Sequence, residues 1–142
     1  EKVDEDIKKD KLKVQGYDKD FHYVAAAEKN AKIAGINKMV KISRVEIHWL
    51  DVKKDKETID MVVTFLPSLR KELEKEREKM YKEFFYQAEF VVKKEGVMVV
   101  ATEYPDVAKR FASEFKFVLD KELKVWQGKK EMTVLRFLKS KA

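Results

Sequence analysis

The feature that most constrains this chain is a pair of short, unbroken apolar runs, Met61-Val62-Val63 and Val97-Met98-Val99-Val100, separated by a segment of helical length. Apolar continuity over so few residues marks a buried strand, and two strands joined by a helical crossover lie parallel. The first run sits in an extended stretch, Thr58–Phe65, that breaks at Leu66-Pro67-Ser68, the pattern of a central strand covered on both faces. Leu69, Leu73, Met80, Phe84, Ala88 and Val91 then mark one face of a long helix that ends before Gly96. Gly96–Thr102 is the next buried strand.

The same alternation extends in both directions. Leu12–Tyr17 is a short extended run closed by Asp18-Lys19-Asp20, and a helix follows from Phe21 to a stop at Gly35. Ala25, Ala26, Ala27, Ala31 and Ala34 give that helix small side chains, so it is expected to lie close against a sheet and be buried. Ser43–Val52, rich in Val, Ile and Trp, reads as a second strand with Asp51 at its end, before an exposed polar loop at 53–57. Pro105 opens a short helix through Phe115. Lys116–Trp126 and Glu131–Leu138, joined by Gln127-Gly128-Lys129-Lys130, read as an antiparallel hairpin. Residues 1–11, dominated by Lys, Asp and Glu, read as a charged lead-in. The expected class is α/β, doubly wound, with a mostly parallel sheet and a C-terminal antiparallel hairpin in one domain over residues 1–142.

Composition narrows the chemistry. With no Cys and only His22 and His48, thiolate nucleophiles, disulfides and Cys- or His-rich metal sites are excluded. No P-loop, G-x-S-x-G or zinc motif is present, which leaves the common hydrolases and phosphotransferases without support. No apolar run approaches the roughly 18 residues that cross a bilayer, and a cytoplasmic setting is expected. The net charge of +6 permits a nucleic-acid partner. A composition heavy in Lys and Glu and free of Cys is of the kind found in hyperthermophiles.

Ligands of open α/β sheets sit outside the carboxyl ends of the strands, which directs attention to Asp18, Asp51, Phe65 to Ser68 and Thr102 to Tyr104. A carboxylate at a strand end accepts hydrogen bonds from a ribose diol, and Asp18 is placed for this. Asp18 or Asp20 can equally cap the helix that begins at Phe21, with Asp20 the nearer cap. Asp51 is suited to accept from an adenine amino group, or is an exposed turn carboxylate. Lys121, Lys124, Lys129 and Lys130, with Arg136 and Lys139, form either a phosphate-contacting patch near the hairpin or an ordinary solvated lysine surface.

In order along the chain, these segments resemble the class I S-adenosylmethionine (SAM)-dependent methyltransferases, most closely the catalytic domain of the THUMP-containing tRNA guanosine-N2 methyltransferases. Gly16-Tyr17-Asp18-Lys19-Asp20, with Ala27-Glu28-Lys29-Asn30-Ala31-Lys32-Ile33-Ala34-Gly35-Ile36, is similar to that family's second strand and the helix ending in N-A-x-x-A-G. Trp49-Leu50-Asp51 resembles the acidic end of the third strand. Ile59 to Ser68 resembles the fourth strand and its catalytic loop, and Glu89 to Val97 the approach to the fifth. The terminal hairpin resembles the sixth and seventh strands. The resemblance covers about residues 12–138 and implies SAM as cofactor, held by Asp18, Asp51 and Val52. It implies a target base beside Phe65, Leu66, Pro67 and Ser68, and RNA, tRNA in particular, as partner.

Two departures stand out. The family's loop reads N-P-P-Y or N-L-P-Y, its Asn and a backbone carbonyl accepting from the target amine and its Tyr stacking on the base. Here Phe65 replaces the amide acceptor and Ser68 the aromatic platform. The family's first strand and Gly-rich cofactor loop also have no counterpart in residues 1–11, and no G-x-G occurs. That strand is central in the family, so a sheet lacking it would expose two apolar edges. The polypeptide continues upstream of Glu1, a partner chain supplies the strand, or the domain has rearranged into a smaller sheet that binds no cofactor. Two functions follow: an RNA methyltransferase, or a non-catalytic relative acting as an RNA-binding or scaffold module.

Overall fold

A computed structural model of the chain describes residues 13–141. The charged lead-in at 1–11, and Leu12 at the start of the first extended run, lie outside the described residues. Two compact units divide between Glu46 and Ile47.

The first unit contains β1 (Val14–Asp18), α1 (Phe21–Ile33) and β2 (Val40–Arg44), with β1 and β2 paired in parallel from Val14 opposite Val40 to Asp18 opposite Arg44. Helix α1 starts where Asp20 accepts a hydrogen bond from the His22 amide at 2.8 Å. It ends in a Schellman motif: the Ile36 amide donates to the Ala31 carbonyl, the Gly35 amide donates to Lys32, and Gly35 takes φ of 72°. The expected burial of the alanines is corrected. Only Val24 and Ala31 are buried, with Ala27 half-buried between them, while Ala25, Ala26 and Ala34 are exposed. A two-stranded sheet is about as wide as one helix, so it covers a single stripe at spacings of three and four.

The strand expected over Ser43–Val52 is also corrected. β2 ends at Arg44, and a 3-10 turn (Ile47–Trp49) runs into the short helix α2 (Leu50–Lys53). Asp51 therefore lies in a helical turn, not at a strand end. A buried side chain from a distant helix, Gln87, decides this: the Asp51 amide donates to its Oε1 at 2.9 Å, and its Nε2 donates to the His48 carbonyl at 3.3 Å. Those backbone groups are satisfied without a neighbouring strand.

The second unit goes on through β3 (Ile59–Phe65), a 3-10 turn (Lys71–Leu73), α3 (Glu74–Val91), β4 (Val92–Thr102), α4 (Pro105–Glu114), β5 (Phe117–Gln127) and β6 (Lys130–Lys139). Its four-stranded sheet has the order β3-β4-β6-β5, with β3 and β4 parallel and the other two pairings antiparallel. Tyr81, Phe84, Phe85, Ala88 and Val91 of α3 and Ala108, Phe111 and Ala112 of α4 share one core with Met98, Val100, Leu135 and Phe137. In the pairing register Met98 lies opposite Phe137 and Val100 opposite Leu135, so these strand residues define one face.

That arrangement corrects the expectation that Thr58–Phe65 is a central strand covered on both faces. Both helices pack on the same face, and β3 is an edge of its sheet among the described residues. On the opposite face Met61, Val63 and Phe65 are 58%, 72% and 51% exposed. The strand is apolar on both faces in sequence, but within this unit, among the described residues, only one receives a helical layer.

Two local devices shape the unit. β4 bends at Gly96, where the pairing with β3 jumps from Ile59–Val92 to Met61–Val97 and Glu95 takes φ of 62°. A β-carbon at Gly96 would meet Val92 Cγ1 at 2.6 Å and the Lys93 carbonyl oxygen at 2.8 Å. Near the C-terminal end of α3, buried Lys139 donates to the carbonyls of Glu89 and Val92, and Glu57 lies 3.7 Å from its Nζ. A cation there offsets the exposed carbonyls of the helix terminus.

Candidate cofactor and base site

The first unit supplies Asp18 at the carboxyl end of β1. Its side chain is exposed, and Oδ1 accepts from the Asp20 amide at 2.8 Å. Asp20 takes the capping role on α1, as expected from the order of the two carboxylates. Arg44, paired with Asp18 across the sheet, donates from Nε to the Lys19 carbonyl, so the acidic turn is held to β2.

In the second unit Asp51 is half-buried in α2, and its Oδ1 is enclosed with no hydrogen-bond partner. Val52, beside it, is 68% exposed. A carboxylate oxygen shut away from water without a donor is costly unless a ligand supplies one. Asp51 thus has the chemistry of an acceptor for an amine or hydroxyl.

The loop after β3 divides by residue. Phe65 presents a half-exposed ring and Pro67 is exposed, whereas Leu66 is 2% exposed and belongs to the core, its amide donating to the Ala101 carbonyl. The Leu66 side chain is thereby removed from substrate contact, and only its backbone remains for that purpose. Ser68 is half-buried, with its Oγ enclosed and near enough to the Glu103 carboxylate to affect its ionisation.

The end of β4 lies next to this loop. Thr102 Oγ1 is 2.6 Å from the Tyr81 hydroxyl and accepts from the Tyr104 amide at 2.9 Å, while the Tyr104 hydroxyl donates to the Leu69 carbonyl at 3.3 Å. Burial raises the Tyr81 pKa above its ordinary value, against the lowering effects of Thr102 and Arg77. Arg77 lies over the Tyr104 ring, its guanidinium carbon 3.7 Å from the ring centre. Glu103 pairs with Lys130 at 2.6 Å; this bond, and then Ser68, holds its carboxyl below the usual range.

The hairpin lysines do not share one surface. Lys121 lies opposite Arg136 and Lys124 opposite Thr133, which places the two on opposite faces of the ribbon. Lys124 is 3.6 Å from Glu131 and Lys130 is held by Glu103, while Lys129 lies in the turn between the strands. Arg77, Tyr81 and Gln87 were missed as site-shaping residues. Their signal was the spacing of Arg77, Tyr81, Phe84 and Ala88, which sets the buried stripe of α3 slightly away from the one drawn through Leu69 and Leu73.

Parallel strands joined by helices and a C-terminal antiparallel hairpin are the elements of a class I methyltransferase fold. The chain belongs to the UPF0020 family, the RMKL-like methyltransferase domain, which matches residues 1–133. Among solved structures it is similar to TrmN from Thermus thermophilus, with 20% identity and a TM-score of 0.79 over 89% of this chain and 36% of that one. It is also similar to SMU.472 complexed with SAH, with 22% identity and a TM-score of 0.73 over 99% of this chain and 36% of that one. A SAM-dependent methyltransferase from Methanosarcina mazei is 10% identical, with a TM-score of 0.73 over 92% and 83% of the two chains. The chain thus spans about a third of the length of the first two. No curated protein sequence matches it. Among the described residues no helix is long and apolar enough to cross a membrane.

Proposed function

We propose that this chain is part of a SAM-dependent methyltransferase domain that acts on RNA, with tRNA as the substrate and the cytoplasm as its setting. The observation that carries the reading is the enclosed, unpartnered Oδ1 of Asp51, in a chain that belongs to a methyltransferase family. Each unit offers acceptors suited to part of the cofactor: in the second, Asp51 for the adenine amine with Val52 as an apolar neighbour for the ring, and in the first, taken by itself, Asp18 as an exposed acceptor for a ribose diol. Bound SAM supplies an electrophilic methyl group. Phe65 gives a flat apolar surface on which a base can stack, and the loop backbone after it offers carbonyl acceptors to an exocyclic amine. The structural likeness to TrmN and to SMU.472 with SAH supports this direction.

Calorimetric titration with S-adenosylhomocysteine tests it. Saturable binding is expected, weakened at least tenfold by Asp51→Ala and by Asp18→Ala, each measured separately. A folded chain that binds no S-adenosylhomocysteine would end the reading for the isolated chain. The second reading, a non-catalytic RNA-binding or scaffold module, is favoured by Phe65, whose ring cannot accept a hydrogen bond from an amine as the family's Asn does. RNA binding without S-adenosylhomocysteine binding would select it.

A further inference from the structure

Two cations are buried in the second unit, and they differ in one respect. Lys139, 7% exposed, is saturated by the Glu89 and Val92 carbonyls and by Glu57. Arg77, 6% exposed, has Nε and Nη1 both enclosed without a hydrogen-bond partner, and no carboxylate pairs with it among the described residues. Its guanidinium covers the Tyr104 ring at 3.7 Å. Glu103, the nearest acidic residue along the chain from that ring, is already taken by Lys130. Lys139 is a structural cation; Arg77 is a buried charge whose Nε and Nη1 donors are unused.

We propose that Arg77 anchors a phosphate of the nucleic-acid substrate, at the carboxyl ends of β3 and β4 beside the Phe65–Ser68 loop. This rests on the reading of the chain as an RNA-acting domain. Position is the first reason: Tyr104 follows the end of β4 and binds the Leu69 carbonyl, so Arg77 stands at the rim where open α/β sheets take their ligands. Chemistry is the second. A guanidinium is always charged, is weakly hydrated, and presents planar donors matched to phosphate oxygens, so it tolerates burial while waiting for an anion better than an ammonium does. The segment around Arg77 adds no net charge, because Arg70, Lys71 and Lys75 are matched by the exposed Glu72, Glu74 and Glu76, so the contact must come from the Arg77 guanidinium itself. Engagement requires Tyr104 and residues 67–70 to shift together, Leu66 staying anchored in the core. Those residues have no regular secondary structure, and the bond from Tyr104 to Leu69 is long at 3.3 Å.

The test uses the full chain, Arg77→Met and Arg77→Lys. Thermal midpoints are measured with inorganic phosphate, with acetate and with chloride at constant ionic strength, and binding of a short single-stranded RNA is followed by fluorescence anisotropy across a salt series. Phosphate is expected to raise the wild-type midpoint above its value in chloride or acetate, and to have no such effect on Arg77→Met. That variant is expected to melt no lower than wild type in chloride, because it removes unsatisfied buried donors. Its RNA affinity should fall about tenfold, with the salt slope reduced by about 0.7 for one lost phosphate contact. Arg77→Lys, which keeps the charge but loses the fork, should lose most of the phosphate response. A lower midpoint with unchanged RNA affinity and slope in Arg77→Met would make Arg77 a structural support for Tyr104 and overturn the proposal. If Arg77→Met fails to fold, unchanged phosphate response and RNA affinity in Arg77→Lys overturns it, as does a response to acetate alone. Loss of S-adenosylhomocysteine binding leaves the phosphate arms readable, so failure of the methyltransferase reading is distinguishable from failure of the Arg77 site.

Discussion

Glu103 shows how a single residue joins stability to the site. Its carboxyl is held below the ordinary value of 4.5, first by the bond from Lys130 and then by Ser68. Between the folded value and 4.5 the unfolded chain binds more protons, so stability rises with pH across that window and is lost as pH falls through the folded value. The thermal midpoint should therefore drop on acidification below about pH 4.5, and Glu103→Gln should flatten the slope over the same range. An identical slope in wild type and variant, read by circular dichroism melts, would assign the acid sensitivity to other carboxylates. Neither partner of this pair was legible as such: Lys130 reads as one of many lysines, and its pairing with Glu103 depends on how β6 lies against β4.

At the scale of the element, β4 illustrates a constraint the sequence states only as a glycine. Gly96 reads as the start of a strand, yet it occupies the bend inside one, where β3 and β4 change register. Two of the nearest atoms to an added methyl group are backbone oxygens, of Lys93 at 2.8 Å and Asp60 at 3.2 Å, which cannot swing aside as a side chain can. Gly96→Ala is expected to cost about 1–3 kcal/mol, as overpacking of a tight site does. Urea unfolding of the purified variant checks this, and a loss below about 0.5 kcal/mol would mean that the bend relaxes. Helix α1 was legible to its caps, because Asp20 and Gly35 act on adjacent backbone groups. The turn and helix over 47–53 were not, because Gln87 is a distant side chain in sequence and a local pattern of Val, Ile and Trp speaks for a strand.

For the whole molecule, the uncovered face of the four-stranded sheet has the largest consequence. Met61, Val63 and Phe65 are exposed on it, and Val97, Val99 and Ala101 beside them are only half-buried. A contiguous apolar surface of this kind drives association. The purified chain is expected to bind the dye ANS while folded and to self-associate with rising concentration. Val63→Lys, placed at the 72% exposed position, should reduce both with little loss of stability. Light scattering that shows a monomer at all concentrations, with no ANS signal, would mean that the face is too interrupted to act as one patch.

Apart from the turn and helix over 47–53, the amino-acid sequence by itself determined the order of strands and helices, along with the caps of α1, the closing hairpin and the likeness to a methyltransferase domain. These depend on periodicity and on interactions between residues close in sequence. Tertiary structure alone decided which face of β3 is covered, that Asp51 lies in a helical turn with one oxygen enclosed, and that Lys121 and Lys124 face apart. It also decided that Arg77 is buried over Tyr104 with its Nε and Nη1 unpartnered. Burial and pairing are set by elements distant along the chain, and no local pattern of residue types encodes which of two apolar faces a helix will cover.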